Sequence, residues 1–130
     1  MTPDLNIPRL IDKSALMVID PQNDFLLSGA PYPSADAGLF IKNTSLLVDR
    51  MRQRGVPIIY TREVHRADGV DRGREADGEP VHCIEGTSGM EIVKELTPVG
   101  GDYVIDKRRF SCFFQTDLLG LLNGLGTELI

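Results

Sequence analysis

Asp20 and Lys107 are the residues whose placement points most directly to chemistry. Asp20 closes the run Ala15-Leu16-Met17-Val18-Ile19-Asp20, in which five apolar residues end in a carboxylate. Lys107 closes Tyr103-Val104-Ile105-Asp106-Lys107 in a similar way. A short apolar run bounded by turn formers suits a strand buried on both faces of a parallel sheet. In open α/β sheets, ligands bind just beyond the carboxyl ends of such strands. A carboxylate and an ammonium at two of those ends can meet. Together they offer a base that stays ionised and a cation able to stabilise developing negative charge. A plainer role fits the same residues: Asp20 caps a turn, and the pair ties two strand ends together. Spacing alone leaves both readings open.

The elements that must position this pair follow from pattern. Residues 1 to 14 read as a polar arm with two prolines. A first strand is expected over 15 to 20, then a loop over 21 to 35 that is long enough to be functional. A helix is expected over 36 to 54, with Phe40, Thr44, Leu47, Val48 and Met51 on one apolar face at helical spacing. Gly55 and Pro57 end it, and Val56 to Thr61 reads as a second strand. Strand, helix, strand makes a βαβ unit with a right-handed crossover. Arg62 to Gly86 reads as a charged, glycine-rich loop at the second strand's carboxyl end. Ser88 and Glu91 have capping-box spacing and open a short helix with Ile92, Val93 and Leu96 inward. The third strand is 103 to 107. A last helix begins at Thr116-Asp117, with Leu118, Leu119, Leu121, Leu122 and Leu125 forming its apolar face. Glu128-Leu129-Ile130 begins a fourth strand. The fold class expected is a doubly wound, Rossmann-like α/β domain: a parallel sheet with helices on both faces, its C-terminal part absent from these residues.

The composition sets limits. The 130 residues fit one domain, and 42% hydrophobic with 25% charged residues is ordinary for a globular protein. A net charge of −5 argues against nucleic-acid or anionic-membrane partners. No signal-peptide pattern opens the sequence, and two cysteines make no disulfide framework, so a cytoplasmic location is the default. The first strand is not followed by Gly-x-Gly-x-x-Gly, which argues against dinucleotide binding. A Gly-x-Ser-x-Gly nucleophile elbow is missing too.

Three stretches carry a resemblance. Asp20-Pro-Gln-Asn-Asp-Phe25 resembles the opening signature of the isochorismatase-like cysteine hydrolases. His82-Cys-Ile-Glu-Gly-Thr-Ser-Gly89 with Glu91-Ile92 resembles the second, and Asp106-Lys107 through Asp117-Leu118 the third. The likeness covers residues 14 to 130 and keeps the family's order and spacing. It implies a single isochorismatase-like hydrolase domain with an Asp-Lys-Cys triad, in which Asp20 is the base and Lys107 the transition-state stabiliser. The nucleophilic cysteine of the family lies some thirty-odd residues beyond the lysine, past Ile130, so the domain is expected to be incomplete here. Cys83 and Cys112 are weaker stand-ins. Cys112, five residues from Lys107, is the better of the two, and also suits a small core filler.

The reaction implied is acyl transfer. Asp20 takes the thiol proton, the thiolate attacks an amide or ureido carbonyl, and water then hydrolyses the thioester. Nicotinamide, N-carbamoyl compounds, biuret-like ureas and ureidoacrylate are all family substrates. No cofactor is required, and a homo-oligomer is expected. Nicotinamidase-type relatives bind a metal through Asp-x-His and a later His. Here Glu63, His65 and His82 fall at those positions, with Glu for Asp, and their donors suit zinc or iron. The plain alternative has them lining the pocket or pairing with nearby arginines. Arg62, Arg66, Arg72 and Arg74 interleave with Asp68, Asp71, Glu75 and Asp77, as in a solvated loop, or one of these arginines meets an acidic substrate. Phe25 and Phe113, with Phe110, are candidate walls of a flat pocket, or else core. Two other functional readings stay open: a non-catalytic binding or assembly module, and a cysteine-independent vinyl ether hydrolase.

Overall fold

The computed structural model describes residues 7 to 74 and 77 to 130. Residues 1 to 6 of the expected arm, and Glu75 of the charged loop, lie outside the described residues. The elements run α1 (Ile7–Asp12), β1 (Leu16–Val18), α2 (Asn23–Leu26), α3 (Ala37–Gln53), β2 (Ile58–Glu63), β3 (Tyr103–Lys107) and α4 (Leu118–Gly124), with 3-10 turns at Ser88–Met90 and Lys94–Leu96.

The sheet is parallel, in the order β1-β2-β3. Leu16 pairs with Ile58, and Glu63 with Lys107, at the two ends of the register. On the other side of β1, Ser14 bridges Leu129 in parallel, and Ala15 N donates to Leu129 O at 2.9 Å. The chain therefore returns beside β1, away from β2, through this isolated bridge. The chain reverses its direction of travel across the sheet at this point, and in α/β folds such a reversal marks where ligands bind.

Right-handed crossovers explain the layering. The steps β1 to β2 and β2 to β3 go one way, so their connections cover one face; the step back past β1 goes the other way and covers the opposite face. Side chains alternate accordingly. Val18, Ile58 and Tyr60 pack with Val48 of α3 and with Val93 and Leu96. Ala15, Ile59 and Ile105 pack with Cys112 and with Leu118 and Leu122 of α4. The doubly wound α/β architecture is present in these strands.

Several local expectations are corrected. β1 stops at Val18, and Ile19 is exposed. Residues 7 to 12 are helical, and a helical turn interrupts the 21-to-35 loop. Within α3 the inward residues are Ile41, Val48 and Met51, whereas Phe40 and Leu47 are exposed. Their spacing is helical, but they lie at the outer margin of the inward face, beside Met51. Leu119 of α4 is 60% exposed. No capping box forms at Ser88: the cap position of that turn is Thr87, without a side-chain cap bond. The backbone there is claimed instead by the loop after β1. Asn23 Nδ2 takes Ser88 O at 2.7 Å, and Gln22 Nε2 takes Met90 O at 2.9 Å. β2 runs two residues further than expected, to Glu63. That places Glu63 at a strand end, level with Lys107.

Candidate functional site

The carboxyl edge of the sheet gathers a small ionic cluster. The Asp20 backbone turns into the left-handed region, at φ 50°, a conformation that Asp tolerates better than most residues. This turn directs the carboxylate across the strand ends. Lys107 Nζ lies 2.8 Å from Asp20 Oδ2 and 3.6 Å from Glu63 Oε2, and donates to Arg109 O at 3.1 Å. The lysine side chain is 1% exposed and the aspartate 18%, so the pair is open to a ligand on the Asp20 side only. Thr61 is fully buried and holds the turn from both directions. Its hydroxyl donates to Asp20 Oδ1 at 2.6 Å and accepts from Asp20 N at 3.1 Å.

A second group adjoins the first. Donor atoms of Glu63, His65 and His82 lie within 4.8 Å of one another, and all three residues are buried. His65 Nε2 is 2.7 Å and His82 Nε2 3.1 Å from the same oxygen, Glu63 Oε1. Burial pushes the Glu63 carboxyl up. The hydrogen bonds from His82 and His65 and the charge of Lys107 outweigh it and hold the group down at about 2. The hydrogen bond to Glu63 raises His82 against its own burial. His82 Nδ1 also faces an acceptor, Pro80 O, at 2.7 Å. Acceptors at both ring nitrogens favour the protonated form of His82. Among the described residues the buried His65 Nδ1 has no hydrogen-bond partner, and the Asp71 carboxylate stands 3.4 Å away.

These residues fit a divalent cation. One carboxylate oxygen and two imidazole nitrogens converge, and two N–H protons aimed at a single oxygen are what a cation would displace. Pro80 O and Asp71 are the outer partners that fix ring orientation in such sites.

The remaining candidates fall as follows. Phe25 packs against His82, with ring centroids 5.4 Å apart, and edge-on against Tyr32 at 6.1 Å. Phe110 and Phe113 are each 53% exposed on the stretch after β3. Arg62 is spent on Asp106 through bonds of 2.7 and 2.9 Å, and Arg66 on Asp71 at 2.8 Å. Arg72 donates to the carbonyls of Glu79 and Pro80. Cys83 is wholly buried and Cys112 sits in the core beside Ala15 and Ile105. Burial raises both thiols, so neither is a ready thiolate.

The structure adds residues that the pattern reading passed over. The Gln22 side chain clamps the end of β2, donating to Glu63 O and accepting from Glu63 N, each at 2.7 Å. Asp24 Oδ2 accepts from Cys83 N at 2.7 Å, and Gly89 lies so close to Asp24 that a Cβ there would stand 2.2 Å from this oxygen. The stretches 20–25 and 82–91 are thus two halves of one packed unit. Their shared presence was a signal, but the bonds between them pair residues about 60 positions apart.

Comparison with known proteins places this geometry. Residues 14–130 match the family described as the isochorismatase domain. A protein of Arabidopsis thaliana named "probable inactive nicotinamidase" is 37% identical over 124 residues, covering 90% of this chain and 63% of its own length. The solved N-carbamoylsarcosine amidase of Thermoplasma acidophilum superposes with a TM-score of 0.78 at 28% identity, covering 91% of this chain and 66% of that one. The pyrazinamidase of Pyrococcus horikoshii, solved in complex with zinc, gives 0.78 at 27% identity, with 90% and 68% covered. The chain spans roughly half to two-thirds of the length of the curated relatives it matches.

Proposed function

The chain belongs to the isochorismatase family, and on that premise we propose that it is the base-bearing part of a hydrolase acting on a small amide or ureido compound. The observation that carries this reading is the 2.8 Å Asp20–Lys107 pair at the point where the chain reverses across the sheet. Asp20 is the base. It takes the proton of a cysteine thiol, the new thiolate forms a C–S bond to the substrate carbonyl, and the carbonyl π electrons move onto oxygen. Lys107 stabilises that oxyanion. Collapse expels ammonia or an amine, which takes up the proton from Asp20, and water then cleaves the thioester. The resemblance puts the nucleophile beyond residue 130, and the buried, raised thiols of Cys83 and Cys112 support looking for it there. Thr61 and Lys107 together keep Asp20 aimed.

The test uses the full-length polypeptide with nicotinamide, N-carbamoyl amino acids and ureidoacrylate as substrates. One of them is turned over, iodoacetamide abolishes that turnover, and Asp20→Asn lowers kcat by about 10²–10⁴-fold with an unchanged circular dichroism spectrum. Near-normal turnover by the variant would remove Asp20 as the base. Cleavage of a vinyl ether such as isochorismate, indifferent to iodoacetamide and without turnover of these amides, would favour the cysteine-independent reading. No hydrolysis at all would favour a binding module.

The convergence of Glu63, His65 and His82 supports one addition. These three residues would hold a zinc-type ion, which when bound supplies a Lewis acid that polarises a ligand oxygen or water. The acyl-transfer steps above do not require it. Metal content by mass spectrometry of the purified protein, with Glu63→Gln as comparison, decides whether they do.

A further inference from the structure

The register of β2 with β3 ends at Glu63 and Lys107, yet the two chains stay joined beyond it. Val64 N donates to Lys107 O at 2.9 Å. Arg108 Nη1 donates to Val64 O at 2.6 Å. Arg109, which is half-buried, reaches across to the 66–74 loop. Its Nη1 donates to Asp71 O, and to Arg108 O at 2.9 Å. Two arginine side chains thus satisfy main-chain carbonyls after the strand ladder has stopped.

The loop is shaped to receive the Arg109 guanidinium. Gly73 sits at φ 70°, and a Cβ there would stand 3.0 Å from both Cζ and Nε of Arg109. An added methyl would overpack that contact. Gly69 lies in the same loop, also at φ 70°, but the nearest atom to its Cβ would be Arg72 Cδ at 3.4 Å, an ordinary contact. The two glycines share a conformation, and Gly73 in addition makes room for an arginine.

What the Arg109 side chain holds in place is its own carbonyl. An ammonium has three hydrogens to place. Lys107 Nζ faces Asp20 Oδ2 at 2.8 Å, Arg109 O at 3.1 Å and Glu63 Oε2 at 3.6 Å. Of these three acceptors, Glu63 ends a strand, and Asp20 is fixed by Thr61. Arg109 O lies past the end of β3, and the guanidinium fastens that stretch to the loop. We propose that Arg109 is a positioning residue for Lys107: its guanidinium, seated on Gly73 and Asp71 O, fixes the main-chain carbonyl that aims the Lys107 ammonium at Asp20. Without it, the ammonium loses one of its two close partners. Slack of about an ångström at a reacting group can cost about 10²-fold in rate.

The effect on turnover rests on the hydrolase reading above; the placement of Lys107 does not, so the full-length polypeptide is tested for each. With whichever of nicotinamide, N-carbamoyl amino acids and ureidoacrylate is turned over, Arg109→Ala lowers kcat by about 10–100-fold and leaves KM unchanged. Added guanidinium ion restores turnover to this variant. Gly73→Ala lowers kcat in the same way, whereas Gly69→Ala, with equal backbone strain, does not. In the Arg109→Ala background Gly73→Ala adds no further loss. In nitrogen-15 NMR of chelator-treated protein, the Lys107 Nζ–H signal exchanges slowly in the wild type and faster in Arg109→Ala and Gly73→Ala. The amides of Val48 and Val93, buried on the opposite face of the sheet, stay protected in all of them. Unchanged kcat and unchanged Lys107 exchange in Arg109→Ala would overturn the proposal. So would equal losses from Gly69→Ala and Gly73→Ala, or a loosening of Val48 and Val93 to match that of Lys107, which would make Arg109 a general fastener of the fold. Should Arg109→Ala fail to fold, the two glycine variants decide. Should the wild type turn over none of these amides, the hydrolase reading fails and the Lys107 signal decides the placement by itself.

Discussion

The two ends of the sheet each hold a cation, half-buried at one end and buried at the other, and the two are not used alike. At the amino end, Arg52 reaches from the end of α3 to Asp102, just before β3, and to the Tyr60 hydroxyl at 3.2 Å. Asp102 Oδ2 also accepts from Val99 N at 2.9 Å. The hydrogen bond to Asp102 raises the guanidinium against its own burial. The cation meets one buried anion, Asp102, with the exposed Asp49 at 3.5 Å beside it, and the donors and acceptors close on each other. At the carboxyl end, Lys107 serves two carboxylates, Asp20 and Glu63, and Glu63 in turn holds two imidazoles. Asp20 sits at φ 50°, and among the described residues His65 Nδ1 makes no hydrogen bond but faces the Asp71 carboxylate at 3.4 Å. Closed networks fasten a fold. A network whose members share partners, at an edge open on the Asp20 side, is poised to take something more.

Removing each cation breaks the comparison most sharply. Lys107→Met leaves Asp20 and Glu63 facing each other without their shared counter-charge. A loss of about 3–5 kcal/mol in urea unfolding is expected, together with loss of any turnover. Arg52→Met strips Asp102 of its guanidinium, but this site is wetter, with Arg52 26% exposed. The expected loss is about 1–2 kcal/mol, and turnover stays within twofold of wild type. Equal losses from the two variants would show that the ends are equivalent, and the contrast would fail.

The turns that hold each end differ in the same sense. Gly89 is pressed against Asp24, which in turn holds Cys83 N. Gly89→Ala forces that carboxylate away and is expected to cost about 1–3 kcal/mol. The amino-end turn carries Gly100, around which a Cβ would meet nothing within 4 Å. Gly100→Ala should change stability by less than about 0.5 kcal/mol. Thermal melts of the two variants side by side measure the difference directly.

How much of this was legible in the residues depends on where the determining contacts lie. The three strands and the placement of Asp20 and Lys107 at or just beyond their ends rest on short apolar runs with clear stops. Such runs state their own limits. The meeting of Glu63, His65 and His82 followed from a resemblance, because no local periodicity joins positions 63 and 82. The inward face of α3 was misread because Phe40 and Leu47 keep helical spacing with Val48 and Met51. Periodicity identifies a stripe but does not say how much of it the sheet covers. The helix expected at Ser88 gave way because Gln22 and Asn23 take its carbonyls, and Asp71 emerged as a centre for Arg66, Arg108 and His65. Those bonds join loops whose approach only the folded chain reveals.

The smallest effect at neutral pH, and the one that separates the two ends by sign, is the pH dependence of stability. Glu63 is held at about 2, below its ordinary 4.5. A lowered carboxyl stabilises the fold above its unfolded value, and that contribution fades as pH falls from about 4.5 toward 2. Tyr60 is raised above 10, chiefly by burial, with the nearby Arg52 opposing. A raised phenol stabilises the fold below its unfolded value, and that contribution fades as pH rises past about 10. In chelator-treated protein, Glu63→Gln should therefore flatten the acid limb of the stability profile and leave the alkaline limb alone. Tyr60→Phe should do the reverse. If Glu63→Gln left the acid limb as steep as in the wild type, the carboxylate would not be held by His65, His82 and Lys107, and the carboxyl-end network would lose its centre.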